Sequence, residues 1–265
     1  MGADRSVFLW LLKLGAVLDL VLLAHLHSLD WDAPDPHLLI SAQILLGVSA
    51  YRCLFPNRYN DNVVFHRTRL SSTFVTRVLA TFSEMAYVYL FSHALRLLNV
   101  ERLAWVDALS WLMVAQVALS QVFVWGAILG GRRLLYVYEE LGWAVIFAAN
   151  TLASLGLYRT LDSPGPGALL IHLNLLFGAV YLPWQLLHLR SLWQDARKDA
   201  PPTTGGSPSG RERLADGLHR SLHEPNRRTD AESWGGWIGL SWMTAYWATL
   251  IPLWVHRIAV VFAGS

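Results

Sequence analysis

VFLWLLKLGAVLDLVLLAHL, residues 7–26, decides the class of this protein. At 1.5 Å per residue such a stretch of about 20 residues covers about 30 Å, the depth of a bilayer's hydrocarbon core. Lys13 and Asp19 are its only formal charges. It is long for a signal-peptide core and no small-residue cleavage site follows it, so it reads as a retained span. Outward from it the same pattern recurs near 37–55, 74–98, 104–129, 133–158, 167–192 and 234–262. The composition agrees: of 265 residues 54% are hydrophobic and 15% charged, against roughly 25% charged in soluble domains. The 13 Trp suit anchoring at headgroup level. The expected fold is all-α: a polytopic bundle of seven transmembrane helices forming a single domain over 1–265, in the cell membrane.

Charge placement gives an orientation. With the N-terminus inside, the inner segments collect Arg5, Arg52, Arg58, Arg67, Arg69, Arg132, Arg133, Arg190, Arg197, Lys198, Arg211, Arg213, Arg220, Arg227 and Arg228 out of 21 Lys and Arg, while the outer loops hold Arg102 and Arg159. That bias predicts N-in, C-out, with Asp30, Asp32 and Asp35 in the first outer loop. The net charge of +2 reflects this topology and no nucleic-acid partner is expected. One cysteine, Cys53, excludes an internal disulfide and a CxxC metal site.

Residues 195–233 break the apolar pattern. PPTTGGSPSG (201–210) buries too little to order itself and predicts a mobile cytoplasmic linker. Leu214, Leu218 and Leu222 then recur every fourth position among Arg and His, the pattern of an amphipathic helix over 211–224 lying on the inner membrane surface. A solvated linker with chance periodicity is the alternative.

Ionisable groups inside spans are costly, so each is a candidate for function. Lys13, Arg96, Asp107, His188, His256 and Arg257 lie near interfaces within reach of headgroups. Asp19 belongs to the same set of intramembrane ionisable groups. In the third span Arg77, Thr81 and Glu84 share one helix face and place Glu84 near the midplane. Arg77, two turns away, is expected to satisfy Glu84 only incompletely, which leaves a carboxyl for chemistry; a purely structural ion pair is the competing reading. In the fifth span Glu139 shares a face with Trp143, Ile146 and Asn150 and is the favoured inward carboxyl, with Glu140 about 100° away, facing lipid or paired with Arg132. The sixth span aligns Asn174, Gly178, Tyr181, Gln185 and His188 along one stripe, with His172 opposite and Pro183 within it. Such a stripe lines a cavity or simply joins helices.

The loop NRYNDNVVFHRTRLSSTF (57–74) offers Asn60, Asp61 and Asn62 for side-chain turns and His66, Arg67 and Arg69 ahead of the third span, a group suited to a phosphate or diphosphate. Positive-inside topology with capping by Ser72 or Thr73 explains the same residues. No box of clustered histidines, GxSxG elbow or DDxxD-like cluster is present, and the last span has no Lys for a retinal Schiff base.

The leading expectation is a membrane-embedded enzyme on a lipid-soluble, isoprenoid-like substrate, cyclising or isomerising it by carboxyl acid/base chemistry. Glu84, Glu139 and Glu140 are its catalytic candidates. Arg77, Thr81, Tyr87, Trp125, Trp143, Asn150, Asn174, Tyr181 and Gln185 are its substrate-binding candidates, with no cofactor and no metal. Tyr89 and Tyr136 are further aromatic candidates for the cavity wall. In size and helix number the chain is similar to the small transmembrane terpene cyclases, which use intramembrane carboxylic acids; the likeness is one of architecture, with no shared motif. The alternatives are a proton-coupled carrier and an intramembrane metal site built from these carboxyls with His93 or His172. The expected partners are membrane lipids and a hydrophobic small molecule.

Overall fold

A computed structural model describes residues 6–29, 35–59, 62–160, 165–198, 209–223 and 225–263. Long Leu-, Ala- and Val-rich runs fold as α1 (Ser6–Ser28), α2 (Pro36–Leu54), α3 (Thr73–Leu98), α4 (Ala104–Gly130), α5 (Leu134–Tyr158) and α6 (Pro166–Lys198). After them come α7 (Gly210–His223), α8 (Gly236–Ala245) and α9 (Ile251–Ala263), the last two joined by a π-helical turn, Tyr246–Leu250. Local chemistry sets the ends. Asp35 accepts the His37 N–H at 2.8 Å with Pro36 opening α2. The Ser72 hydroxyl accepts from Val75 N–H at 3.4 Å before α3. Gly131, at φ 63°, stops α4 in the left-handed conformation that a glycine adopts without strain.

Among the described residues six helical stretches are long and apolar enough to cross a membrane: Val7–Ser28, Pro36–Leu54, Ala104–Gly130, Leu134–Tyr158, Pro166–Gln194 and Gly239–Ala263. Their outward faces support that reading. Trp10, Leu14, Val17 and Val21 form an exposed stripe along α1, and on α6 Leu176, Val180 and Leu187 stand out, Leu187 at 69% exposure. Apolar stripes of this length are foreign to the surface of a soluble monomer. The protein is a helical, multi-pass membrane protein. α3, at 26 residues, has the length of a span but carries Arg77, Glu84 and Arg96 and falls outside the six.

The chain divides into two compact units, residues 1–90 with 218–265 and residues 91–217. In the first, α1 packs against α2, α8, the π turn and α9. Its core holds Phe8, Leu12, Ala16, Cys53, Phe65, Trp234, Trp247 and Ala248. Gly15 sets the spacing there, since a Cβ would collide with the Ala248 side chain. A small sheet roofs this core. β1 (Asn57–Arg58) pairs antiparallel with β2 (Val63–Val64), which pairs parallel with β3 (Asn226–Arg227). Phe65 stacks on Trp234 at 4.1 Å between centroids, and Arg58 donates to the Ser233 carbonyl at 2.7 Å.

This roof corrects one expectation in part. The expected mobile stretch 201–210 falls largely on 199–208, outside the described residues, whereas further along the 195–233 segment 209–223 and 225–233 carry α7, β3 and a 3₁₀ turn at Glu232–Trp234. Aromatic stacking and strand pairing with the 57–65 loop supply what its composition lacks. Within the loop Asn57 donates to the Ser71 carbonyl at 2.7 Å and Thr73 donates to Asn62 at 2.7 Å, while His66, Arg67 and Arg69 are exposed. Asn60 and Asp61 lie outside the described residues. The amphipathic helix does form, with Leu214 and Leu218 exposed.

In the second unit α4 packs on α5 and α5 on α6. Small residues permit the approach, because a Cβ at Gly142 would strike Ser120 and one at Gly178 would strike Thr151.

Candidate functional site

In the first unit Arg77 and Glu84 lie seven residues apart on α3, about 20° from eclipsed and about 10 Å along the axis. The extended Arg stem closes that distance. Nη1 donates to Oε1 at 3.1 Å and Nη2 to Oε2 at 2.8 Å, with the side chains 1% and 10% exposed. The expectation of an incompletely satisfied Glu84 is therefore corrected: a bidentate fork engages both carboxylate oxygens. Tyr59 lies beside this pair, with the Arg77 guanidinium 5.5 Å and the Arg52 guanidinium 4.8 Å from its ring centre. Arg52 donates to the Tyr59 hydroxyl and to the Asn57 carbonyl and also covers the Trp247 ring at 4.6 Å. Thr81 is half-buried on α3 and Tyr87 buried.

In the second unit Glu140 meets a polar partner across a helix interface. Gln185, wholly buried on α6, donates its amide both to the Glu140 carbonyl and to Oε2, each at 2.8 Å. Because Glu140 offers only acceptors there, the amide nitrogen must face it, and Gln185 Oε1 is left buried with no hydrogen bond from the protein. On the other carboxylate oxygen, His188 Nε2 lies 3.8 Å from Oε1, with His188 34% and Glu140 28% exposed at the side chain. The helical period that placed Asn174, Gly178, Tyr181, Gln185 and His188 on one face of α6 thus aims that face at α5. Further along it Asn174 donates to Asn150 at 3.4 Å and Ser154 at 3.2 Å.

Aromatic rings continue from this carboxyl. Trp184 stacks on His188 at 5.0 Å and meets Tyr181 at 5.7 Å; Tyr181 meets Phe177 at 5.2 Å and Phe147 at 4.6 Å, and Phe147 meets Trp143 at 6.0 Å. Glu139 is buried on the α4 side, where the Ser120 hydroxyl donates to its backbone carbonyl at 3.4 Å. Its neighbour Glu140, expected to face lipid or Arg132, is the one that shares the α6 stripe. Trp125 is half-buried on α4.

Several of the groups expected near the interfaces also find protein partners. Arg96 donates to Ser92 at 2.8 Å and Ser110 at 3.0 Å with Trp111 under its guanidinium, and Asp107 accepts from Asn99 at 2.9 Å. His256 meets His25 at 2.8 Å. His172 bonds the Ala168 carbonyl one turn back. Among the described residues no three His, Cys, Asp or Glu side chains are placed to hold a metal ion.

Sequence reasoning passed over the pairing of Glu140 with His188, because it assigned His188 to the interface by depth alone; the shared stripe with Gln185 was the available signal. It also left Arg52 among the topology charges; its rings, Tyr59 and Trp247, come together with it only in the fold. The chain matches no protein-family model, no curated protein and no solved structure.

Proposed function

We propose that the protein is a membrane-embedded enzyme acting by acid/base chemistry on a lipid-soluble, isoprenoid-like substrate, with Glu140 as the proton-transferring carboxyl. The observation that carries this reading is the Glu140–Gln185–His188 group. It joins a partly exposed carboxyl, an imidazole close enough to exchange a proton through a small shift or one water, and a buried amide oxygen with an unused lone pair. Proton transfer requires a carboxyl within reach of the substrate, and Glu140 is partly exposed with one amide donor. Gln185 Oε1 suits a substrate hydroxyl. The rings of Trp143, Phe147, Tyr181 and Trp184 supply an apolar, electron-rich wall for an unsaturated chain or a developing cation. Here Asn150 and Asn174 hold α5 to α6, and Arg77–Glu84 is an ion pair within α3.

The test is a comparison of lipid extracts from membranes of cells expressing the wild-type protein and the Glu140→Gln variant. The expected result is a neutral lipid depleted and its isomer or cyclised product enriched only with wild type, the variant losing about 10²- to 10⁴-fold in turnover. Identical extracts would reject the reading.

The same proposal includes α3 as a seventh span, N-in and C-out, in the cell membrane. Internal pairing of Arg77 with Glu84 and the serine cradle around Arg96 lower the cost of burying their charges. The Leu214 and Leu218 face of α7 then lies on the inner leaflet. Protease added to sealed right-side-out vesicles should leave 200–230 intact; cleavage there would reverse the topology.

A further inference from the structure

Asp19 stands two-thirds of the way along α1, about 20 Å from its first residue, and is 0% exposed. Its Oδ1 has no hydrogen-bond partner in the protein, and its Oδ2 meets one group, the Cys53 thiol of α2 at 4.0 Å. One turn before Cys53 on the same face of α2, Ser49 is also 0% exposed, and its hydroxyl likewise has no partner. The orphaned carboxylate oxygen and the thiol therefore share the α1–α2 interface, at a level where Gly15 brings α1 against Cys53 and the π-helical turn at Ala248. π turns recur where a helix is adapted to a site.

The charged and titratable groups on every packed element have been placed elsewhere. Arg52, next to Cys53, is directed at Tyr59, Asn57 and Trp247. On α9 His256 meets His25, six residues or about 9 Å further along α1, and Arg257 is exposed. On α1 itself Lys13 lies over Trp10. α8 and the π turn contribute Tyr246, whose ring packs on Trp247. An ionised carboxylate in this setting has one weak donor and no cation, whereas the neutral acid needs neither.

We infer that Asp19, with the Cys53 thiol facing it, forms an intramembrane site that binds a proton. The ligand is a proton, and the site is independent of the Glu140 chemistry. Glu84, the other carboxyl buried among the described helices of this unit, is held by a guanidinium and has no need of one.

The test is infrared spectroscopy of the full chain in lipid bilayers at neutral pH, with and without ¹³C-aspartate. The expected result is a neutral-acid carbonyl band that shifts with the label and is lost in Asp19→Asn. A Cys53→Ala variant should move the band without abolishing it. The label shift in the wild-type protein reads the site even where a variant fails to insert. Absence of a label-sensitive neutral-acid band overturns the inference, as does a band that survives Asp19→Asn. A band that disappears when sodium chloride replaces choline chloride assigns the site to a metal cation and also overturns it.

Discussion

Two carboxyls seated in apolar helices meet opposite fates. Glu84 is gripped by both nitrogens of the Arg77 fork and is almost sealed from its surroundings, whereas Glu140 receives one amide hydrogen bond and lies partly open beside an imidazole at 3.8 Å. Position within a span does not make an acid reactive. A carboxylate whose lone pairs are committed to a buried guanidinium loses that partner's compensation as soon as it accepts a proton, so its proton exchange is expensive. One held loosely can change state without dismantling its neighbours. The first arrangement stabilises a fold and the second suits chemistry.

Breaking one partner of the closed pair should give the largest effect. Glu84→Gln leaves the Arg77 charge buried without its counter-charge, and the expected loss is about 3–5 kcal/mol in thermal or denaturant unfolding in detergent. The double variant Arg77→Met/Glu84→Met should recover most of it, because no unpaired charge remains. A Glu84→Gln protein as stable as wild type would erase the contrast between the two carboxyls.

A smaller change tests whether the first unit is as tightly closed as the pair implies. Gly15→Ala should cost about 1–3 kcal/mol through collision with Ala248. Gly47→Ala, on α2 with open space around its Cα, should be neutral or stabilise by up to about 1 kcal/mol. Equal stability of the two variants would mean that α1 and the π turn are less closely packed.

The smallest expected effect lies at the surface. Ser209 and Glu212 form a reciprocal cap on α7: Glu212 N–H donates to the Ser209 hydroxyl at 3.2 Å, and Ser209 N–H to the Glu212 carboxylate at 2.7 Å. Those donors hold the Glu212 carboxyl below its ordinary value. A depressed folded-state value means the cap contributes fully above the ordinary carboxylate range and is lost as pH falls through the depressed one. Protection of the first α7 amides, relative to their intrinsic exchange at each pH, should fall in acid, and Glu212→Gln should remove that dependence. Protection that is flat with pH in the wild type would show the cap to be idle.

Much of this contrast's framework was legible in the chain. Span limits read from apolar runs fall within a few residues of the helices, apart from α6, which continues past the bilayer-length stretch to Lys198. The polar stripe of α6 was legible because period 3.6 aligns Asn174, Gly178, Tyr181, Gln185 and His188 whatever their neighbour. What faced the stripe was not legible, since angular position separates Glu139 from Glu140 by about 100° without saying which helix lies on either side. Arg77–Glu84 was misjudged because rise along the axis was counted without the reach of an arginine stem. The pairing of Val63 with Asn226 leaves no trace in local periodicity, so the roof over the first unit was invisible. Asp19 was visible as a charge in a span; its lack of partners depends on α2 and the π turn and appears only in three dimensions.

The most direct measurement sets the two carboxyls side by side: turnover of the lipid identified in the membrane extracts, per folded molecule, for Glu140→Gln and for Arg77→Met/Glu84→Met. The expected result is a fall of about 10²- to 10⁴-fold for the first and little change for the second. Full turnover by Glu140→Gln, with activity lost in the double variant despite restored stability, would place the chemistry at Glu84 and contradict the assignment to Glu140.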